Sequence, residues 1–213
     1  MLRDAMDFLP VLMAGLGTTI GITACALTLS IALGLFWALL GRSEIAALRW
    51  ISHTVVTVVR GIPIIVQLFY IYFVLPDLGV SLGAFAAGAA GLGLAYSVYQ
   101  AENFRAGFEA VDRNLIEAAE SLGMSEAMIM RRIILPLGVK IALPTFGNTA
   151  VMLLKDSSIA STITVAELTR AGQLLAISTF KNMSVYTVVA LLYLLMSLPL
   201  TLGVRYLERR SKQ

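Results

Sequence analysis

The 213-residue sequence has little cysteine, histidine or charge. Cys25 is its only cysteine and lies in an apolar run, which excludes a disulfide framework and a thiolate metal site. With His53 as the only histidine, the apolar segments lack the residues for a catalytic or metal site, and we expect no cofactor in this chain. The pattern G-x-x-x-x-G-K-[ST], which cradles nucleotide phosphates, is also absent.

Charged residues make up only 14% of the chain, hydrophobic residues make up 58%, and the mean hydropathy is +0.84. A soluble domain has about a quarter of its residues charged. The composition therefore predicts an all-α integral membrane protein with a single domain over residues 1–213. The start does not resemble a cleaved signal peptide, because Asp4 and Asp7 precede an apolar run that is too long for one.

Five stretches are long and apolar enough to cross a membrane, which takes about 20 residues. They are residues 8–41, 50–76, 78–101, 133–154 and 182–204. The first is longer than one span requires. The sequence thus predicts five transmembrane helices.

The lysines and arginines set the predicted orientation. Twelve of the 16 fall on one side of this topology, within residues 41–60, 103–140 and 205–213. The other four are Arg3, Lys155, Arg170 and Lys181. Because cytoplasmic segments are enriched in these residues, we expect the N-terminus outside and the C-terminus inside.

A polar segment, residues 113–136, separates the third and fourth predicted spans and should lie in the cytoplasm. Asn114 with Glu117 three residues later is close to a capping box, which predicts a helix that starts at Leu115. Gly123 is a natural left-handed end for that helix.

A second helix should follow the glycine turn. Ser125 can cap its start, and Pro136 should end it. The segment is therefore expected to form two short helices, the first with a small apolar face of Ala118, Ala119 and Leu122. An ordinary helical loop is the alternative.

The run Glu117-Ala118-Ala119, then Gly123 and Ile133-x-Leu135-Pro136, resembles the cytoplasmic coupling loop of the membrane subunits of ATP-binding-cassette importers. Other segments resemble the polar amino acid branch, the histidine, glutamine and arginine permease family. They are Arg60-Gly61-Ile62-Pro63, residues 67–73, Ala101-Glu102 with Arg105 and Gly107, residues 154–158 and residues 167–173.

The resemblance implies the transmembrane domain of a type I importer in a bacterial cytoplasmic (inner) membrane. It implies two ATPase subunits that hold ATP and magnesium, a second membrane subunit, identical or homologous, and an extracytoplasmic amino-acid-binding protein. Its coupling residues here would be Glu117, Ala118, Ala119, Leu122, Gly123, Ile133, Leu135 and Pro136.

Polar residues within the apolar spans are costly unless they are functional or paired, so they are candidates for the cargo path. The candidates are Gln67, Gln100, Glu102, Asp156 and Ser157. Two alternatives stay open. Glu102 is three residues from Arg105 and can pair with it. The break at Lys155 and Asp156 can be a helix end at the outer interface or a broken helix at membrane depth.

The sequence therefore favours a permease subunit that is not an enzyme and that moves a polar amino acid. The acidic candidates favour a basic cargo. A permease for another small polar solute is the alternative, and a membrane-embedded enzyme or a channel fits less well.

Overall fold

The computed structural model describes residues 2–211, with side chains for residues 6–206, 208 and 209, and all regular elements in this part are helical. The α-helices are, in order, α1 (Leu2–Leu40), α2 (Ala46–Gly61), α3 (Ile64–Phe69), α4 (Ala84–Glu109), α5 (Arg113–Ser121), α6 (Glu126–Ile129), α7 (Leu135–Asp156), α8 (Leu168–Thr179) and α9 (Asn182–Ser211). Shorter π and 3-10 turns occupy Tyr70–Val74, Leu75–Leu78, Met130–Ile134 and Ser157–Ile163.

Three described helices are long and apolar enough to cross a membrane: Met6–Leu40, the continuous rod Glu126–Ile163, and Asn182–Tyr206. Helix α2 and Ile64–Leu78 meet at an angle of 101° and count as a fourth span if the bent pair crosses the membrane as one unit. The stretch predicted as the third span corresponds to α4, which has 26 residues. Its glycines, alanines and tyrosines make it less apolar than the others, so its count as a fifth span stays a prediction.

The sharp bend in the second span has a local cause. Pro63 restricts Ile62 to extended backbone, and Ile62 has φ −100° and ψ 128°. The side-chain amide of Gln67 then donates to the carbonyl oxygens of Val59 and Ile62, both at 2.8 Å. These bonds satisfy carbonyls that the end of α2 leaves without helical partners. The segment Arg60-Gly61-Ile62-Pro63 is thus the site of the bend.

Helix α4 lies at the centre of the bundle and packs closely on α1 and α7. A Cβ atom on Gly34 of α1 would lie 2.5 Å from the Cβ atom of Gln100. One on Gly107 would lie 2.4 Å from the carbonyl oxygen of Gly138 on α7. Because no side chain fits at these crossings, the helices meet almost backbone to backbone.

Buried side chains form three cores along the bundle. The loop-end core surrounds the polar segment 113–136 and includes Phe104, Phe108, Ala119, Ile129, Ile134, Ala142 and Phe146. The central core includes Ile22, Leu68, Leu92, Tyr96, Leu153, Ala160, Ile163 and Val165. The far-end core joins the start of α1 to α8 and α9 through Phe8, Leu12, Leu168, Val185 and Val189.

Candidate coupling loop and polar path

The first helix of the loop, α5, begins earlier than the sequence predicted. A carboxylate oxygen of Asp112 accepts from the backbone N–H of Asn114 at 2.9 Å and from its side-chain amide at 3.0 Å. Asp112 is therefore the cap, and the predicted start at Leu115 with Asn114 as the cap is wrong. A carboxylate also suits the partial positive charge of a helix N-terminus. Glu117 pairs instead with Arg113, at 3.0 Å.

The glycine turn after α5 is confirmed. Gly123 has φ +74°, and a Cβ atom there would meet nothing within 4 Å. The N–H of Gly123 donates to the carbonyl of Glu120 at 2.9 Å, and that of Met124 to Ala119 at 3.1 Å. This pair of bonds is a Schellman motif, which needs a left-handed residue at its centre. Backbone conformation, and not space, is therefore what requires glycine here.

The second helix of the loop starts at Glu126, as predicted, although the side chain of Ser125 makes no capping hydrogen bond with the described residues. The prediction that Pro136 ends this helix is wrong. The chain passes through the π turn Met130–Ile134 directly into α7, with Pro136 in the first turn of α7. A π turn places one extra residue before the proline, where a regular helix would clash with its ring.

The loop has both anchored and exposed positions. Ala119 is only 4% exposed and lies in the loop-end core with Ile134, while Ile133 and Leu135 pack against the same core. Leu122, three residues after Ala119 at the end of α5, is 82% exposed. Of the other predicted coupling residues, Glu117, Ala118 and Pro136 are exposed. The predicted coupling residues thus include both buried or partly buried and exposed positions.

Glu102 pairs with Arg105 at the loop end of α4. Their ion pair is 2.5 Å long, and Arg105 also contacts Glu109 at 3.0 Å. The trio lines a cleft of about 380 Å³ whose other walls come from α1 and α2 and include Arg42 and His53. Of the two interpretations of Glu102, the pair with Arg105 is therefore present.

Asp156 lies at the other end of α7, away from the loop. Its carboxylate accepts a hydrogen bond of 2.6 Å from the Tyr96 hydroxyl of α4. The ring of Tyr96 lies 5.7 Å from that of Tyr99, and the Arg60 guanidinium sits 5.5 Å above the Tyr99 ring. Two tyrosines therefore connect an acidic residue and a basic residue of different helices. The α-helical part of the rod ends at Asp156, and the chain continues directly as the 3-10 turn Ser157–Ile163.

The other path candidates make hydrogen bonds within the bundle. Gln100 is fully buried and accepts from the amide of Asn103 at 2.9 Å, and Asn103 also donates to the Thr149 hydroxyl at 3.0 Å. Ser157 is buried and donates to the carbonyl of Leu154 at 2.7 Å. Gln67 holds the bend described above. Of the five, only Glu102 and Asp156 offer a partly exposed charge.

Sequence reasoning gave no role to Glu167, although the structure makes it the cap of α8. Its carboxylate is fully buried and accepts from the backbone N–H groups of Thr169 at 2.8 Å and Arg170 at 2.6 Å, and from the Tyr193 hydroxyl at 2.8 Å. The N–H of Leu168 donates to Thr19 at 3.0 Å. An acidic residue just before a helix is the only signal that the sequence offers for this cap.

The class of protein follows from this fold and from a family comparison. Residues 30–213 match the model of a family described as the binding-protein-dependent transport system inner membrane component. The chain belongs to this family. It is a membrane-embedded component of a transport system and not an enzyme.

Individual relatives agree over nearly the whole chain. The probable glutamine ABC transporter permease protein GlnM of Bacillus subtilis (strain 168) is 36% identical, with 94% of this chain and 93% of the relative covered. The L-cystine transport system permease protein TcyB of the same organism is 33% identical, with 96% and 88% covered.

A solved structure shares the fold. The crystal structure of an amino acid ABC transporter with histidines superposes with a TM-score of 0.91 at 37% identity, and covers 98% of this chain and 97% of its own. The chain therefore has the fold of a type I ABC importer transmembrane domain.

Proposed function

We propose that this chain is the permease subunit of an ATP-driven importer, and that residues 113–136 dock onto its ATPase. The observation that carries the proposal is that the loop has one apolar residue buried in the bundle and another exposed to the solvent. Ala119 fixes α5 to the loop-end core, while Leu122 presents an apolar side chain to the solvent at 82% exposure. An exposed leucine at the end of a short helix that is anchored by its contacts with the loop-end core suits insertion into a groove of a partner protein.

The loop-end core connects the loop mechanically to the membrane spans. A nine-residue helix is not stable alone in water, so α5 keeps its shape through its contacts. The loop-end core that Ala119 of α5 joins also contains Phe108 of α4 and Phe146 of α7. A push on α5 would therefore be transmitted through this core to α4 and α7. We propose that ATPase closure drives alternating access in this way.

The proposed assembly contains two ATPase subunits, a second membrane subunit, identical or homologous, and an extracytoplasmic binding protein. ATP and magnesium bind to the ATPase subunits. The proposed location is a bacterial inner membrane, with the N-terminus outside and the C-terminus inside. The supports are the family match and the twelve-to-four distribution of lysine and arginine.

The proposed cargo is a polar amino acid. Two relatives carry names that refer to glutamine and L-cystine, and both cargoes have an ammonium and a carboxylate. Asp156 and Arg60 offer charges of the opposite signs, linked through Tyr96 and Tyr99. Any preference for a basic cargo rests on Asp156, because Arg105 already compensates the charge of Glu102. Another small polar solute is the alternative.

Uptake by the reconstituted complex tests this function. Proteoliposomes that hold the complete complex, with ATP inside, would be offered labelled arginine, histidine, glutamine, cystine and an uncharged sugar. We expect ATP-dependent uptake of at least one amino acid, and none when the ATPase is inactivated. Uptake of the sugar alone, or uptake without ATP hydrolysis, would overturn the proposal.

A further inference from the structure

Two irregular helical turns meet at the end of the bundle opposite the loop. One is the π turn Tyr70–Val74, which interrupts the second span. The other is the 3-10 turn Ser157–Ile163, which follows α7 and has seven residues. Runs of 3-10 helix longer than three or four residues are uncommon, and π turns concentrate at functional sites. Both elements pack on the central core.

The 3-10 turn ends at a strained residue. Thr164 has φ +67° and ψ 13°, in the left-handed region. A β-branched residue rarely adopts this conformation, because its side chain crowds the backbone. Its N–H donates to the carbonyl of Ser161 at 3.2 Å, and the next N–H, of Val165, donates to Ala160 at 3.2 Å. The left-handed conformation of Thr164 therefore ends the turn, and the threonine side chain is exposed.

The hydroxyl of this threonine meets the π turn. The Thr164 hydroxyl lies 3.3 Å from the hydroxyl of Tyr72, 92 residues away in sequence. The Tyr72 ring packs against the central core, which also contains Ile163 and Val165. A single side-chain hydrogen bond thus joins two segments that both depart from regular α-helix. Breaking this bond would remove that link and weaken the contact between the two segments.

We propose that Tyr72 and Thr164 form a latch that holds the far end of the permease closed and opens in each transport cycle. This proposal rests on the proposed function, since the cycle is the one that the ATPase drives. In the closed state the latch covers the central core near Val165. In the open state the π turn and the 3-10 turn separate, and the core becomes accessible from that side.

Cysteine accessibility in the complete complex tests the latch. The reporter is V165C in a C25S background, because Val165 is only 2% exposed and follows Thr164. The matched control reporter is V185C, also buried and near the same end but in the far-end core. A membrane-impermeant maleimide would be added from outside to proteoliposomes without nucleotide.

The latch variants are Y72F and T164V, each of which removes one hydroxyl and keeps the shape of the side chain. We expect each to raise the labelling rate of V165C about fivefold, as for the loss of one net hydrogen bond. The double variant should add nothing further, because both remove the same bond. Y70F, which removes a hydroxyl from the same π turn outside the latch, should have no effect.

Two results would overturn the latch. One is unchanged labelling of V165C in Y72F and T164V. The other is an equal rise at V185C, which would indicate general loosening of this end. Trapping the ATPase with ATP and vanadate should raise labelling of V165C in the parent complex. If trapping has no effect while Y72F does, the link to the ATPase fails and the latch stands. If trapping raises the labelling of V165C but Y72F does not, the ATPase controls this end of the molecule and the latch is wrong.

Discussion

At the residue scale, the two carboxylates proposed for the path differ in what surrounds them. Glu102 is matched by Arg105, whereas Asp156 accepts its hydrogen bond from the neutral Tyr96. The negative charge of Glu102 is therefore compensated within the chain. The charge of Asp156 remains available to a cationic group of the cargo, and a basic amino acid carries one more such group than a neutral one.

This difference predicts unequal effects of two conservative substitutions. D156N should lower uptake of arginine about tenfold and that of glutamine less, because losing about 1.4 kcal/mol of attraction to the second cationic group corresponds to a tenfold change. E102Q should change uptake of all cargoes by a similar, smaller factor. Initial uptake rates for the labelled panel, with equal amounts of assembled complex, would measure both. Equal losses for basic and neutral amino acids in D156N would assign this residue to structure.

The sequence could identify polar residues in apolar spans but not their partners. Gln67, Gln100 and Ser157 share that property with Asp156, yet the structure gives the first three partners inside the bundle. Partners such as Thr149 are distant in sequence, and only the packing of α4 on α7 brings them together. The role of Glu167 could not be predicted either, because its partner Tyr193 belongs to another helix.

At the scale of elements, the caps of the coupling loop decide its shape. Asp112 caps α5, although Asn114 is the residue that the sequence pattern favours. Both residue types are good caps, so local propensity does not choose between them. The choice follows the chain that enters from α4. Val111, directly before the cap, is buried in the loop-end core and fixes where the helix can begin.

The two caps can be separated by substitution. D112A should weaken the start of α5 by about 1 kcal/mol, and amide hydrogen exchange in Arg113–Ser121 should become about fivefold faster. N114A should have a smaller effect, because its backbone N–H still donates to Asp112. Exchange measured by mass spectrometry on the purified complex would show this. Faster exchange in N114A than in D112A would contradict the assigned cap.

The remaining elements were predicted with uneven success. Long apolar runs predicted the helices α1, α7 and α9, because twenty apolar residues have few alternatives in a membrane. The bend after Arg60 was also readable, since proline acts locally. The continuation of α6 into α7 could not be predicted from the sequence. It requires the π turn that accommodates Pro136, and this turn depends on Ile129 and Ile134 being buried.

At the scale of the whole molecule, the described chain has its anchored loop at one end and its latch at the other. Helix α4 and the rod that contains α7 run between these ends and cross closely at Gly107 and Gly138. Close crossings of this kind leave little room for independent bending. A displacement at the loop can therefore reach the far end as a movement of whole helices.

Coupling between ATP hydrolysis and uptake tests this account most directly, and Gly123 is the position to use. A valine there must adopt φ near +74°, which costs roughly 1–2 kcal/mol for a residue with a Cβ atom. Asparagine tolerates that conformation and is the matched control. A Cβ atom at this position meets nothing within 4 Å in the described structure, so the comparison of the two variants reports mainly on backbone conformation.

The measurement is the number of amino acid molecules taken up per ATP hydrolysed by the reconstituted complex. We predict that G123V lowers this ratio at least about fivefold, as the strain at this turn implies, and that G123N keeps it near the parent value. ATP hydrolysis should continue in both. A parent-like ratio in G123V, with the complex fully assembled, would contradict the proposal that this loop couples the ATPase to transport.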